Sequence, residues 1–141
     1  MKVPTDWMVD VGGVRTRYWV EGTGSPVVLI HGLTNSIEHW LLNINALAAE
    51  HTVYAVDLIG HGRTDKPLSR SYGLSDLARF VTDFMDAVEI ERVDLIGHSL
   101  GGGVALVIAE TSPQRVRRLV LVDSLGLGAD VGIVLRLVSV P

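Results

Sequence analysis

Four short runs in this chain are apolar at nearly every position: residues 27–30, 53–56, 93–96 (broken only by Asp94) and 119–122. A strand with one wet face reads polar at every second residue. A run without that alternation suits a strand covered on both faces, which is the environment of a parallel sheet packed between helices. Helical periodicity lies between the runs. Ile37, Trp40, Leu41, Ile44, Leu47 and Ala48 predict one amphipathic helix. Leu74, Leu77, Ala78, Val81, Phe84, Met85 and Val88 predict a second, with Ser75 and Asp76 in its first turn. Residues 100–110 predict a third, stopped by Ser112-Pro113. Ahead of them, Trp7, Val9 and Val11 alternate with Met8 and Asp10, and Gly12-Gly13 leads into a second β-patterned stretch over 14–21. Two glycines between such stretches predict a tight hairpin, because both can take positive φ. The alternation of strand and helix makes this an α/β domain with a mostly parallel sheet and an N-terminal hairpin.

Composition narrows the function. With 141 residues the chain is one domain, and 48% hydrophobic against 20% charged residues excludes a disordered one. Twelve Lys and Arg against 16 Asp and Glu give a net charge of −4, without the basic surplus that nucleic acid requires. Arg115, Arg117 and Arg118 read as a solvated face. Cysteine is absent, which removes disulfides and thiolate metal sites, and no histidine pair has metal-ligand spacing. No metal or cofactor is expected. The first ten residues lack the apolar core of a signal peptide, and Arg117, Arg118, Asp123, Asp130 and Arg136 interrupt the apolar stretch at 116–140. The expectation is a soluble, cytoplasmic protein with a small-molecule substrate and no membrane or nucleic-acid partner.

In open parallel sheets, ligands bind beyond the carboxyl ends of the strands. Those ends carry His31-Gly32-Leu33-Thr34-Asn35, Asp57-Leu58-Ile59-Gly60-His61-Gly62, Gly97-His98-Ser99-Leu100-Gly101 and Asp123-Ser124. The third is the pattern G-x-S-x-G between a buried strand and a helix. Such spacing puts a serine on a strained turn whose hydroxyl projects from the sheet, with glycine where side chains would collide. The helix that starts at Leu100 brings a free N–H and a positive dipole end. The competing reading, a Gly-rich turn for packing or phosphate binding, lacks the dinucleotide and P-loop fingerprints.

Here the sequence resembles the α/β-hydrolase superfamily, in its epoxide-hydrolase-like and C–C hydrolase-like branch. The matching stretches are 26–36, Trp40, 56–67, 94–106 and 113–126, in family order. The resemblance implies Ser99 as nucleophile and the backbone N–H groups of Leu33 and Leu100 as oxyanion hole. Relatives that open epoxides carry aspartate at the nucleophile position, so serine points to ester, thioester or C–C bond hydrolysis through an acyl-enzyme. His31, Gly32 and His98 are expected to line the pocket, with His31 holding the oxyanion loop by hydrogen bonds. His61 is assigned to a structural loop, and His39 and His51 to the surface. Asp57 reads as a loop-capping carboxylate. Asp123 ends the strand beside that of Ser99, a position from which a minority of the superfamily takes its triad acid.

The triad order is Ser, acid, His, and this sequence has no histidine after His98. The chain therefore resembles the N-terminal half of a hydrolase, with core over 1–124, truncation after a sixth strand, and the opening of a helical lid over 125–141. A mean hydropathy of +0.34 fits a core that is only partly present. The last strand is then an open edge, expected to promote self-association. Two functions remain: a serine hydrolase with little activity in this form, or a non-catalytic fragment, small-molecule-binding or interaction module on a hydrolase fold.

Overall fold

The computed structural model describes residues 3–127. Six strands form one sheet: β1 (Trp7–Val11), β2 (Val14–Glu21), β3 (Ser25–Ile30), β4 (His51–Val56), β5 (Val93–His98) and β6 (Val116–Val122). Their order is β1-β2-β4-β3-β5-β6. The pairs β1–β2 and β2–β4 are antiparallel, and β4–β3, β3–β5 and β5–β6 are parallel. Gly12 and Gly13, at φ 56° and 82°, make the two-residue turn of the β1–β2 hairpin. Asp10 Oδ1 fixes it by accepting the Gly13 N–H at 3.0 Å.

The apolar runs of β3, β4 and β5 are explained by two buried faces, whereas the fourth, in β6, has Val120 and Val122 exposed. Val28, Ile30, Val56 and Leu95 point to one side, where α2 (Leu74–Ala87) and α3 (Leu100–Thr111) supply Val81, Phe84, Met85, Val104 and Ile108. Val27, Leu29, Val53 and Ala55 point to the other, against Trp19, Ile37, Trp40 and Ile44.

One expected element differs. The single helix over 37–48 is two short pieces, a 3-10 turn (Ile37–Trp40) and α1 (Ile44–Leu47). The N–H groups of Leu41 and Asn43 bond three residues back, to Glu38 and Trp40, which winds the chain too tightly for an α-helix. Asn43 restarts it, its carbonyl accepting from Ala46 and Leu47. The buried residues Ile37, Trp40 and Ile44 are those of the expected apolar face, so the burial survives the break.

β6 closes the order at one side of the sheet, with Val120 and Val122 exposed. The proposed lid segment 125–141 lies outside the described residues from residue 128 onward. Among the described residues, no helix is long and apolar enough to cross a membrane.

Candidate active site

Ser99 sits where β5 gives way to α3, at φ 51° and ψ −115°. A non-glycine residue adopts that backbone only where its surroundings enforce it. Here the enforcement is a set of main-chain bonds. The Ser99 N–H donates to Val122 O at 3.0 Å, and Ser99 O accepts from Gly102, Gly103 and Leu125 at 3.0, 3.2 and 3.0 Å. The serine is thus tied both to the end of β6 and to the first turn of α3. Gly97 and Gly101 flank it because there is no room for more: a Cβ on Gly97 would lie 2.3 Å from Gly101 O.

The segment after β3 lies across this turn. A Cβ on Gly32 would meet His98 Nδ1 at 2.9 Å and Ser99 Cβ at 3.2 Å, so Gly32 packs directly on the elbow. The Asn35 N–H closes a turn onto Gly32 O at 3.3 Å. The N–H groups of Leu33 and Leu100 take no part in the turn and cap bonds around them. They belong to the two segments that meet at Ser99.

His31 is wholly buried at the end of β3. Its Nδ1 donates to Gly32 O at 2.8 Å, which leaves Nε2 to accept the Leu58 N–H at 3.1 Å. That arrangement needs the neutral ring, since a proton on Nε2 would face another donor. Burial, with a smaller contribution from His61, pushes the His31 pKa down from 6.5 to about 4. The sign follows directly. The unfolded chain takes up a proton below pH 6.5 that the folded chain refuses, so stability is full above that value and falls as pH drops towards 4. The loss amounts to about 3 kcal/mol by linkage. Denaturant unfolding at pH 7 and pH 4.5 measures it, and His31→Gln should flatten most of the slope in this window. The carboxylates of Asp6 and Glu38 are opposed by burial but held below their usual range by Arg17, so their contribution is lost only at more acid pH.

The other candidates fall as follows. Asp57 is fully buried and caps loops, as its Oδ1 accepts the Ile37 N–H at 2.8 Å and its Oδ2 the Arg63 N–H at 2.9 Å. His51 pairs with Ser25 Oγ, and His61 with the Ile59 carbonyl. Asp123 is exposed, immediately after β6, at φ 44°. No histidine ring among the described residues bonds the Ser99 hydroxyl; the partners of His31, His39, His51 and His61 lie elsewhere. No group of three or more metal-ligating side chains occurs among the described residues.

Two features escape the sequence reading. Arg17, nearly buried, reaches Asp6 and Glu38 at 2.7 Å and Asp57 at 3.4 Å, joining β2 to three distant segments. His39 is exposed, in line with its assignment to the surface, but its ring also stacks on His98 at 4.5 Å. Only the spacing Asn35–His39 hinted at a local pair.

Comparison with known proteins places this geometry. A protein of Mycobacterium tuberculosis of uncharacterized function is 42% identical over 138 residues, 98% of this chain and 40% of that protein. The 2-hydroxy-6-oxo-2,4-heptadienoate hydrolase of Pseudomonas putida is 36% identical over 126 residues, 87% of this chain and 46% of that protein. The crystal structure of a bacterial membrane phospholipase A superposes with a TM-score of 0.89 at 29% identity, covering 94% of this chain and 44% of that one. The chain thus spans less than half the length of these relatives. A family model described as the alpha/beta hydrolase fold matches residues 25–137, and with its sheet order and strand-to-helix serine the chain belongs to that family.

Proposed function

We propose that this chain carries the nucleophile and oxyanion hole of a serine hydrolase acting on a small ester, thioester or activated C–C bond next to a carbonyl. Ser99 Oγ gives its proton to a base and adds to the carbonyl carbon, and the N–H groups of Leu33 and Leu100 receive the oxyanion. Its collapse breaks the C–O, C–S or C–C bond, the leaving group departs with that proton, and water then hydrolyses the acyl–Ser99 ester to a carboxylic acid and free serine. No cofactor enters these steps. The backbone of Ser99, held at φ 51° between a buried strand and a helix N-terminus, is the observation that carries the reading. Relatives named as a dienoate hydrolase and a phospholipase support carbonyl substrates.

The serine also needs a base. His31, His39, His51 and His61 are engaged with other partners and His98 Nδ1 faces Gly32 rather than the Ser99 hydroxyl, which supports a base from outside residues 1–141. Asp123, placed directly after Val122 whose carbonyl holds the elbow, is the acid these residues can offer. A cytoplasmic setting and self-association along the open edge of β6 belong to the same proposal. Without a base, the elbow serves only to bind, which is the second reading.

Labelling with a fluorophosphonate separates the two. The 141-residue chain should label and hydrolyse an activated ester barely above background, with little change in Ser99→Ala. A longer form of about the relatives' length, with a histidine in its second half, should turn over substrate. There Ser99→Ala should cost about a thousandfold or more. Turnover by that form that is indifferent to Ser99→Ala would overturn the proposal.

A further inference from the structure

His39 sits on the 3-10 turn that follows the oxyanion segment, and its side chain faces that segment and the elbow together. Its Nδ1 lies 2.9 Å from Asn35 Nδ2. The Asn35 amide is oriented by its Oδ1, which accepts the Ser36 N–H at 3.1 Å, so Nδ2 is the donor and His39 Nδ1 the acceptor. One face of the ring stacks on His98 at 4.5 Å and 26° between planes, and Trp40 packs edge-on at 5.0 Å and 87°. His98 in turn precedes Ser99, and its buried Nδ1 has no hydrogen-bond partner and faces Gly32. The backbone of His98 is held in β5 opposite Val122, while its ring packs against His39 on one side and Gly32 on the other. Asn35 closes the turn that contains Leu33, through its N–H to Gly32 O.

We propose that His39 is a positioning residue: stacked on His98 and bonded to Asn35, it clamps the segment bearing the Leu33 N–H onto the elbow bearing Ser99. The inference rests on the assignment of Leu33 and Ser99 given above and adds what sets the distance between them. The two halves of the oxyanion hole come from segments 67 residues apart in sequence, Leu33 and Leu100. The β3–β5 pairing ends at Ile30 and Gly97, and beyond it Gly32 and the elbow pack across a seam. The ring pair spans it. Burial and the nearby His98 ring hold the His39 pKa below the ordinary histidine range, which keeps its Nδ1 free to accept from Asn35.

Three substitutions separate stacking from hydrogen bonding, read by amide NMR of the 141-residue chain. His39→Ala removes both contacts. It should shift the Leu33 and Ser99 amide resonances and speed exchange at the Asn35 amide by about threefold to tenfold, the worth of a ring pair. His39→Phe keeps the ring and should restore the wild-type Leu33 and Ser99 resonances. His39→Gln keeps an acceptor for Asn35 without the ring and should resemble His39→Ala at Ser99. In the longer form, His39→Ala should slow fluorophosphonate labelling while His39→Phe restores it. Unchanged Leu33 and Ser99 amides in His39→Ala would overturn the clamp, and so would a His39→Phe spectrum matching that of His39→Ala. Failure of wild-type labelling in the longer form counts against the nucleophile assignment, whereas the amide shifts test the clamp itself.

Discussion

Asp57→Ala should destabilise this chain by about 3–5 kcal/mol, the cost of removing one partner from a buried ion pair. The carboxylate is fully buried and serves three donors from separate segments. Oδ1 takes the Ile37 N–H at 2.8 Å, while Oδ2 takes the Arg63 N–H at 2.9 Å and Arg17 Nη1 at 3.4 Å. Its loss strips two backbone donors of their acceptor and leaves Arg17, itself almost fully buried, with less countercharge. Asp6 and Glu38 still reach Arg17, but both are partly exposed and compensate weakly. Guanidinium unfolding measures the effect. Arg17→Met combined with Asp57→Asn should cost less than the sum of the single changes, because the stranded charge is gone. Additive losses would mean that the two groups do not act as one network. The consequence reaches the active site through Ile37, whose N–H anchors the start of the turn that carries His39.

The sheet was legible because its signal is local. The runs 27–30, 53–56 and 93–96 of strands β3, β4 and β5 are covered on both faces, so nearly every residue in those runs is apolar, and no rearrangement of distant parts changes that requirement. The elbow was legible for a similar reason. Gly97, Ser99 and Gly101 satisfy a steric condition set by one turn between one strand and one helix. The stretch 37–48 kept its apolar spacing but not its helix, since periodicity reports which residues are buried and only coarsely how tightly the chain winds. The clamp and the Arg17 hub were hidden. His39 and His98 are 59 residues apart, and Arg17 meets Asp57 across 40. A polar residue buried by distant partners looks, in sequence, like any exposed one. The apolar pattern says where the core is, but a charge in the core is visible only once its partners are.

Gly101→Ala should be severely damaging for so small a substitution at the candidate active site, costing about 2–4 kcal/mol of stability. In a longer form that carries the proposed base it should also cost about a hundredfold in turnover, the effect of a 1 Å misplacement of a reacting group. Alanine is ordinarily preferred to glycine within a helix by up to about 1 kcal/mol, so propensity alone predicts a gain. Geometry reverses the sign. A Cβ at Gly101 would lie 2.2 Å from Ile30 O and 2.6 Å from His31 O, both backbone atoms at the buried end of β3 that cannot turn aside. The first turn of α3 must then lift from the sheet, carrying the Leu100 N–H away from the segment that holds the Leu33 N–H. Gly103→Ala is the control. Its Cβ would meet Leu125 Cβ at 3.2 Å and Leu74 Cδ2 at 3.3 Å, with the nearest backbone atom, Leu125 O, at an ordinary 3.6 Å, contacts far milder than those at Gly101. Helix propensity should offset that contact, leaving stability within about 1 kcal/mol of wild type. Equal losses in the two variants would assign the effect to α3 as a whole, whereas loss at Gly101 alone assigns it to the seam where helix, strand β3 and Ser99 meet.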